Sequence, residues 1–150
     1  MNKPKIAILF CGNINEKINS ERIKAGWSLE KVVKITRFQF EHYYDVDYFC
    51  VFNQDFDKSI FDNKLKDYKI ISDEYLYKYF DKNDKNLLSL KGKKARNFPY
   101  QFHRRKYFID FLEKYKDFYK FYIFKRSDTI LVPNGYGLWD RNLNYNQTAG

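Results

Sequence analysis

KIAILFCGN, residues 5–13, holds six apolar residues in succession, from Ile6 to Cys11, before it breaks on Gly12 and Asn13. A strand with one wet face alternates apolar and polar residues. An unbroken run of this length and composition reads instead as a strand buried on both faces, the parallel type that helices cover on each side. The Gly-Asn pair supplies the tight loop that ends it. Downstream, Trp27, Leu29, Val32, Val33, Thr36 and Phe40 recur at three- and four-residue spacings, which predicts an amphipathic helix ending near His42 with Ser28 as its N-cap. Residues 46–52, VDYFCVF, then form a second buried strand closing on Asn53 and Gln54. Strand, helix, strand in this order packs as a right-handed parallel unit. The predicted fold class is therefore α/β: a mainly parallel, mixed sheet flanked by helices, Rossmann-like.

The middle of the chain is less regular. It predicts a short strand at residues 68–71, a short helix at 74–80 and a Lys-, Asn- and Asp-rich loop at 81–96. From Pro99, a good first-turn residue, Phe102, Tyr107, Phe108, Phe111, Leu112 and Tyr115 mark the apolar stripe of a strong helix. A third major strand is predicted over residues 118–125. After Val132 the turn residues Pro133, Asn134, Gly135 and Gly137 lead into a polar stretch. The expected organisation is one domain, residues 1–140, followed by a polar tail, residues 141–150.

Of the 150 residues, 44% are hydrophobic and 21% aromatic, enough to build a core and to exclude a disordered chain. No apolar run approaches the roughly 20 residues a membrane span needs, and the N-terminal run is too short and strand-like for a signal peptide. An intracellular, cytoplasmic protein is expected. Cys11 and Cys50 fall in strand patterns and predict buried reduced thiols rather than a disulfide, and with two histidines the chain is short of zinc ligands. The formal net charge of +9 suits a polyanionic partner. The densest basic clusters lie at residues 91–96 and 103–106.

Residues 121–132, FYIFKRSDTILV, carry a second feature: a strand pattern stops on Lys125, Arg126, Ser127 and Asp128 and then resumes. Unpaired charges are costly in a core, so this cluster reads as a solvated hairpin corner or as a site at a strand end. Gly12 reads as an ordinary strand-end turn or as one wall of such a site. It has neither the companion glycines of a dinucleotide fingerprint nor a phosphate-loop Lys-Ser/Thr. Ligands of open α/β sheets bind at the carboxyl ends of strands, where both Gly12 and Asp128 are expected. Gln101, Arg104 and Arg105, early in the long helix, read as solvated surface or as an amide and guanidinium forks for a diphosphate or a base.

Together KIAILFCGN, Tyr100-Gln101, Arg104-Arg105 and the strand ending Arg126-Ser127-Asp128 resemble the nucleotide-sugar-binding half of GT-A-type glycosyltransferases. The likeness is to bacterial and large-virus members with Arg-x-Asp in place of Asp-x-Asp, and it covers residues 5–132. It implies transfer of a sugar from a nucleoside-diphosphate sugar to a glycan or other acceptor, with Gly12, Asn13, Gln101, Arg104 and Arg105 binding the donor. Asp128 would hold Mn2+ or Mg2+ across the two phosphates, and Arg126 would assist the leaving group. The residues do not identify the acceptor's base; Asp140 is a guess. Such members carry a basic residue soon after the first strand's Gly, where this chain has Asn15 and, further on, Arg22. Their domain also continues well beyond the point where this chain stops, at Gly150, which implies a fragment or a minimal form here. A different expectation comes from charge alone: basic residues interleaved with aromatics, as at residues 100–107, suit a nucleic-acid-binding module.

Overall fold

A computed structural model describes residues 2–15, 17, 20–72 and 98–131, with residues 98–101 described by their backbone alone. The predicted helix at 74–80, the loop at 81–96, Asp140 and the polar tail lie outside the described residues. The elements in chain order are β1 (Lys5–Gly12), α1 (Ser20–Lys24), α2 (Leu29–Phe40), β2 (Asp45–Phe52), a 3-10 turn (Lys58–Phe61), β3 (Leu65–Ile70), α3 (Phe98–Tyr115), a second 3-10 turn (Lys116–Phe118) and β4 (Tyr122–Arg126). The strands form one sheet in the order β3-β2-β1-β4. All three pairings are parallel, so among the described residues the sheet is purely parallel rather than mixed.

β1 lies between β2 and β4, and Ile6 through Cys11 are buried along its whole length. Successive side chains enter opposite layers, as strand geometry requires. Ile6, Ile8 and Phe10 pack with Val46, Tyr48, Cys50 and Phe52 against Val32 and Val33 of α2. Ala7, Leu9 and Cys11 pack with Phe49 and Val51 against Phe108 and Phe111 of α3. The β1-to-β2 crossover steps one way along the sheet and the β3-to-β4 crossover steps back past two strands. Right-handed crossovers in opposite directions place their helices on opposite faces, which is where α2 and α3 lie. Cys11 and Cys50 thereby fall in different layers, and both are buried free thiols. No helix among the described residues is long and apolar enough to cross a membrane.

α2 starts as its sequence predicts. Ser28 is extended and its Oγ accepts the Lys31 amide at 3.1 Å, capping one of the helix's orphan donors. Ser28→Ala is expected to cost about 1 kcal/mol in a urea denaturation curve, since no other side chain is placed to take over that amide. At the opposite end of the sheet, Lys5 bridges Asp45 and Asp47, and the Tyr119 hydroxyl donates to Asp47 at 2.7 Å. These contacts fasten the amino-terminal edge and leave the carboxyl-terminal edge to other work.

Two strand boundaries differ from the sequence pattern. β3 begins at Leu65, three residues before its predicted start, because Tyr48 already donates its amide to the Lys64 carbonyl. β4 begins only at Tyr122, residues 116–118 being spent on the 3-10 turn, and it ends at Arg126. The strand does not resume at Thr129. The Ser127 amide closes the ladder on the Cys11 carbonyl at 3.0 Å, where β1 itself is ending. Beyond it the Lys125 ammonium donates to the Thr129 carbonyl and Gln39 donates to the Leu131 carbonyl, so the chain leaves the sheet toward α2 with Ile130 and Leu131 exposed.

Candidate functional site

Because the sheet is parallel, β1 and β4 end side by side, with Cys11 paired to Arg126. The first crossover leaves β1 in one direction, and β4 returns on the other side of β1. A crevice opens outside strand ends where the order reverses in this way. Gly12 and Ser127 meet at this reversal, with Asp128 next along the chain, so the ends of β1 and β4 that the sequence pointed to do come together.

Gly12 has φ +146°, a conformation that favours glycine, and a Cβ built on it would lie 2.5 Å from Ser127 Oγ. The close approach lets Ser127 Oγ donate to the Asn13 carbonyl at 3.3 Å. Asn13 therefore contributes its backbone to this junction. The turn after β1 is further held by buried Asn53 at the end of β2, whose Oδ1 accepts the Ile14 amide at 2.8 Å. From the α2 side, Trp27 Nε1 donates to the Ser127 carbonyl at 3.0 Å. The β4 turn is thus pinned from both neighbours.

Asp128 lies at this edge, and guanidinium groups hold it. Arg126 Nε donates to Oδ1 and Arg126 Nη2 to Oδ2, each at 2.7 Å, in a two-point fork. Arg22 Nη1 meets Oδ2 at 2.6 Å. The Asp128 side chain is only 7% exposed, whereas those of Arg126 and Arg22 are 47% and 51% exposed. Burial would raise the Asp128 carboxyl; the Arg126 fork, with the Arg126 and Arg22 charges, overcomes it and holds the group below the ordinary carboxylate value. The charged cluster is therefore neither a plain solvated corner nor an open acid. It is a buried carboxylate with two half-exposed guanidiniums over it.

α3 brings further charge to the same edge. Its Arg104 is buried, 3% exposed, and Arg105 is exposed. Both act with Arg126 on the Cys11 thiol at the end of β1: burial pushes that thiol up to about 11, and the three guanidinium charges oppose the rise. Nearby His103 is lowered by burial and by the Lys106 and Arg104 charges. Lys125, buried beneath the crevice with its ammonium 5.5 Å above the Phe10 ring, is also lowered by burial, partly offset by Asp128. Arg22, Arg104, Arg105, Lys125 and Arg126 thus lie toward one sheet edge, near Asp128. The Gln101 side chain lies outside the described residues.

Such an edge can bind an anion with two or more phosphoryl oxygens. A divalent cation is another matter. Both Asp128 oxygens are engaged by guanidiniums, which a cation would have to displace and whose charges would repel it. Among the described residues no group of three or more His, Cys, Asp or Glu side chains is gathered. As arranged, the Asp128 carboxylate offers neither oxygen free to Mn2+ or Mg2+.

In the sequence reading Ser127 stood in the charged break and Arg22 after the first strand's Gly, whereas Trp27 and Asn53 were given places in the fold and no part in a site. Of these two, Asn53 alone carried a signal, since it follows β2 as Asn13 follows Gly12. Arg22 and Trp27 reach the crevice through the turn from α1 into α2, where the Trp27 amide donates to the Arg22 carbonyl at 2.8 Å. Comparison of the chain with protein-family models, with curated proteins and with solved structures finds no match.

Proposed function

We propose that this chain is the donor-binding domain of a glycosyltransferase, moving a sugar from a nucleoside-diphosphate sugar to a glycan or other acceptor. One observation carries the reading: guanidiniums gather at the reversal of strand order, beside the Gly12 backbone. The diphosphate would lie across the ends of β1 and β4, toward Arg126, Arg22 and the Arg104-Arg105 pair. Gly12 and Asn13 would face the nucleotide. In transfer, the bond between the sugar's anomeric carbon and the phosphate oxygen breaks, the bonding pair stays with that oxygen, and the acceptor hydroxyl forms the new bond as it loses its proton. Charge therefore grows on the departing diphosphate. Arginines already fixed at that edge stabilise it without reorganising. Asp140, the base suggested by sequence, is outside the described residues and takes no step here.

Calorimetric titration with UDP-, GDP- and dTDP-sugars tests the function. Saturable binding of at least one, competed by its nucleoside diphosphate and lost in Arg126→Ala, is the expected result. Absence of such binding, with tight and steeply salt-dependent affinity for single-stranded oligonucleotides, would instead make the chain a nucleic-acid-binding module.

A further inference from the structure

We propose that Asp128 is a positioning residue: it holds Arg126 and Arg22 as a paired guanidinium clamp for the diphosphate, and this clamp does the work of a divalent cation. The inference rests on the reading of the crevice as a donor site. It deepens that reading by assigning how the leaving group's charge is met.

The geometry of the three side chains is the argument. A carboxylate that is to bind a cation turns its oxygens toward the ligand. Asp128 turns them to the fork of Arg126 and to Nη1 of Arg22, two cations that come from different elements, β4 and α1. The acid itself is nearly covered, while the guanidiniums above it stay half exposed. Arg126 spends Nε and Nη2 on Asp128, which fixes the plane of its guanidinium and leaves Nη1 outside the fork. Two guanidiniums from different elements thus share one carboxylate at this edge. Planar guanidiniums match phosphoryl oxygens in two-point contacts, which a hydrated ammonium does not. An arginine held in place beforehand loses less freedom on binding than a free one, so the buried acid raises affinity without touching the ligand.

The test measures affinity for UDP, GDP, dTDP and inorganic pyrophosphate, once in EDTA and once in excess Mn2+, with direct Mn2+ binding followed by electron paramagnetic resonance. The wild-type chain is expected to bind the diphosphates equally in both buffers and to take up no Mn2+. Arg126→Lys, which keeps the charge and removes the fork, should weaken binding on the order of tenfold in both. Arg22→Ala should weaken it in both as well. Asp128→Asn should do so without any change in metal response, and Asp128→Glu should recover part of the loss, which a failure to fold would not show. Affinity that appears only with Mn2+, together with Mn2+ uptake abolished by Asp128→Asn, would overturn the clamp while leaving the transferase reading in place. If no diphosphate binds in either buffer, the transferase reading falls and the clamp with it.

Discussion

Phe10→Ala is expected to lower the unfolding free energy by about 3–5 kcal/mol, the range for removing a fully buried aromatic side chain. Phe10 is inaccessible to solvent at the centre of the α2-side layer. Its ring lies 6.2 Å from that of Tyr48 and 5.9 Å, edge-on, from that of Phe61. These neighbours come from β2 and from the 3-10 turn after it, so the cavity would open between parts of the chain that do not rest on one another's local structure. The loss has a second part. The Lys125 ammonium stands 5.5 Å above the Phe10 ring, and a buried cation stripped of its aromatic face gives up about 0.5–2 kcal/mol. Against a total stability of about 5–15 kcal/mol for a domain of this size, the variant should unfold at a much lower urea midpoint. Phe38→Ala provides the contrast. Phe38 is 85% exposed on the outer side of α2, and its removal should stay within about 0.5 kcal/mol of wild type. Equal effects from the two would mean that the α2-side layer is not the core.

The Phe10 argument also marks where the fold could be read from sequence. Residues 6–11 declared a strand buried on both sides because no polar residue interrupts them, and burial on both faces already implies helices above and below. The α2 boundary was legible for an equally local reason, a serine immediately before an apolar stripe. β4 was not. Its pattern runs from Phe118 to Val132 with one break, yet pairing covers only Tyr122–Arg126. What stops it is the end of β1 at Gly12 and the Ser127 amide spent on the Cys11 carbonyl, a partner more than a hundred positions away. Residues 129–131 are β-branched or apolar and still form no strand, because among the described residues no strand continues beside them at that edge.

The site divides in the same way. Gly12 and Asp128 stood out as breaks in apolar runs, and a parallel sheet guaranteed that both would lie at carboxyl ends. That β4 would lie next to β1 depends on strand order, which periodicity does not encode. Arg104 was legible as a helix residue but not as a buried one, since the apolar stripe of α3 predicts its exposure. Arg22 sits in a polar stretch with no period, and its contact with Asp128 is not legible there. The acid expected as an open ligand is found held by two arginines.

Gly12→Ala should be the most damaging small change at the crevice, with a loss on the order of 3 kcal/mol and greatly weakened diphosphate binding. Two costs combine. The backbone is held at φ +146°, where an alanine is strained, and the new methyl would lie 2.5 Å from Ser127 Oγ. That contact must open, and the turn that moves carries Asp128, so the arginine fork moves with it. Gly26→Ala separates the terms: Gly26 also has positive φ, +91°, but its added Cβ meets nothing nearer than Lys31 Nζ at 3.7 Å. It should pay the backbone strain alone and leave diphosphate affinity intact. The double variant Gly12→Ala with Ser127→Ala tests the contact itself. It removes Oγ and leaves Ser127 Cβ at 3.6 Å, an ordinary contact distance, so part of the stability should return even though a donor to the Asn13 carbonyl is lost. Should Gly12→Ala match Gly26→Ala in both urea midpoint and UDP affinity, the turn at the end of β1 would have no part in binding, and the crevice between β1 and β4 would no longer be the place to look for the donor.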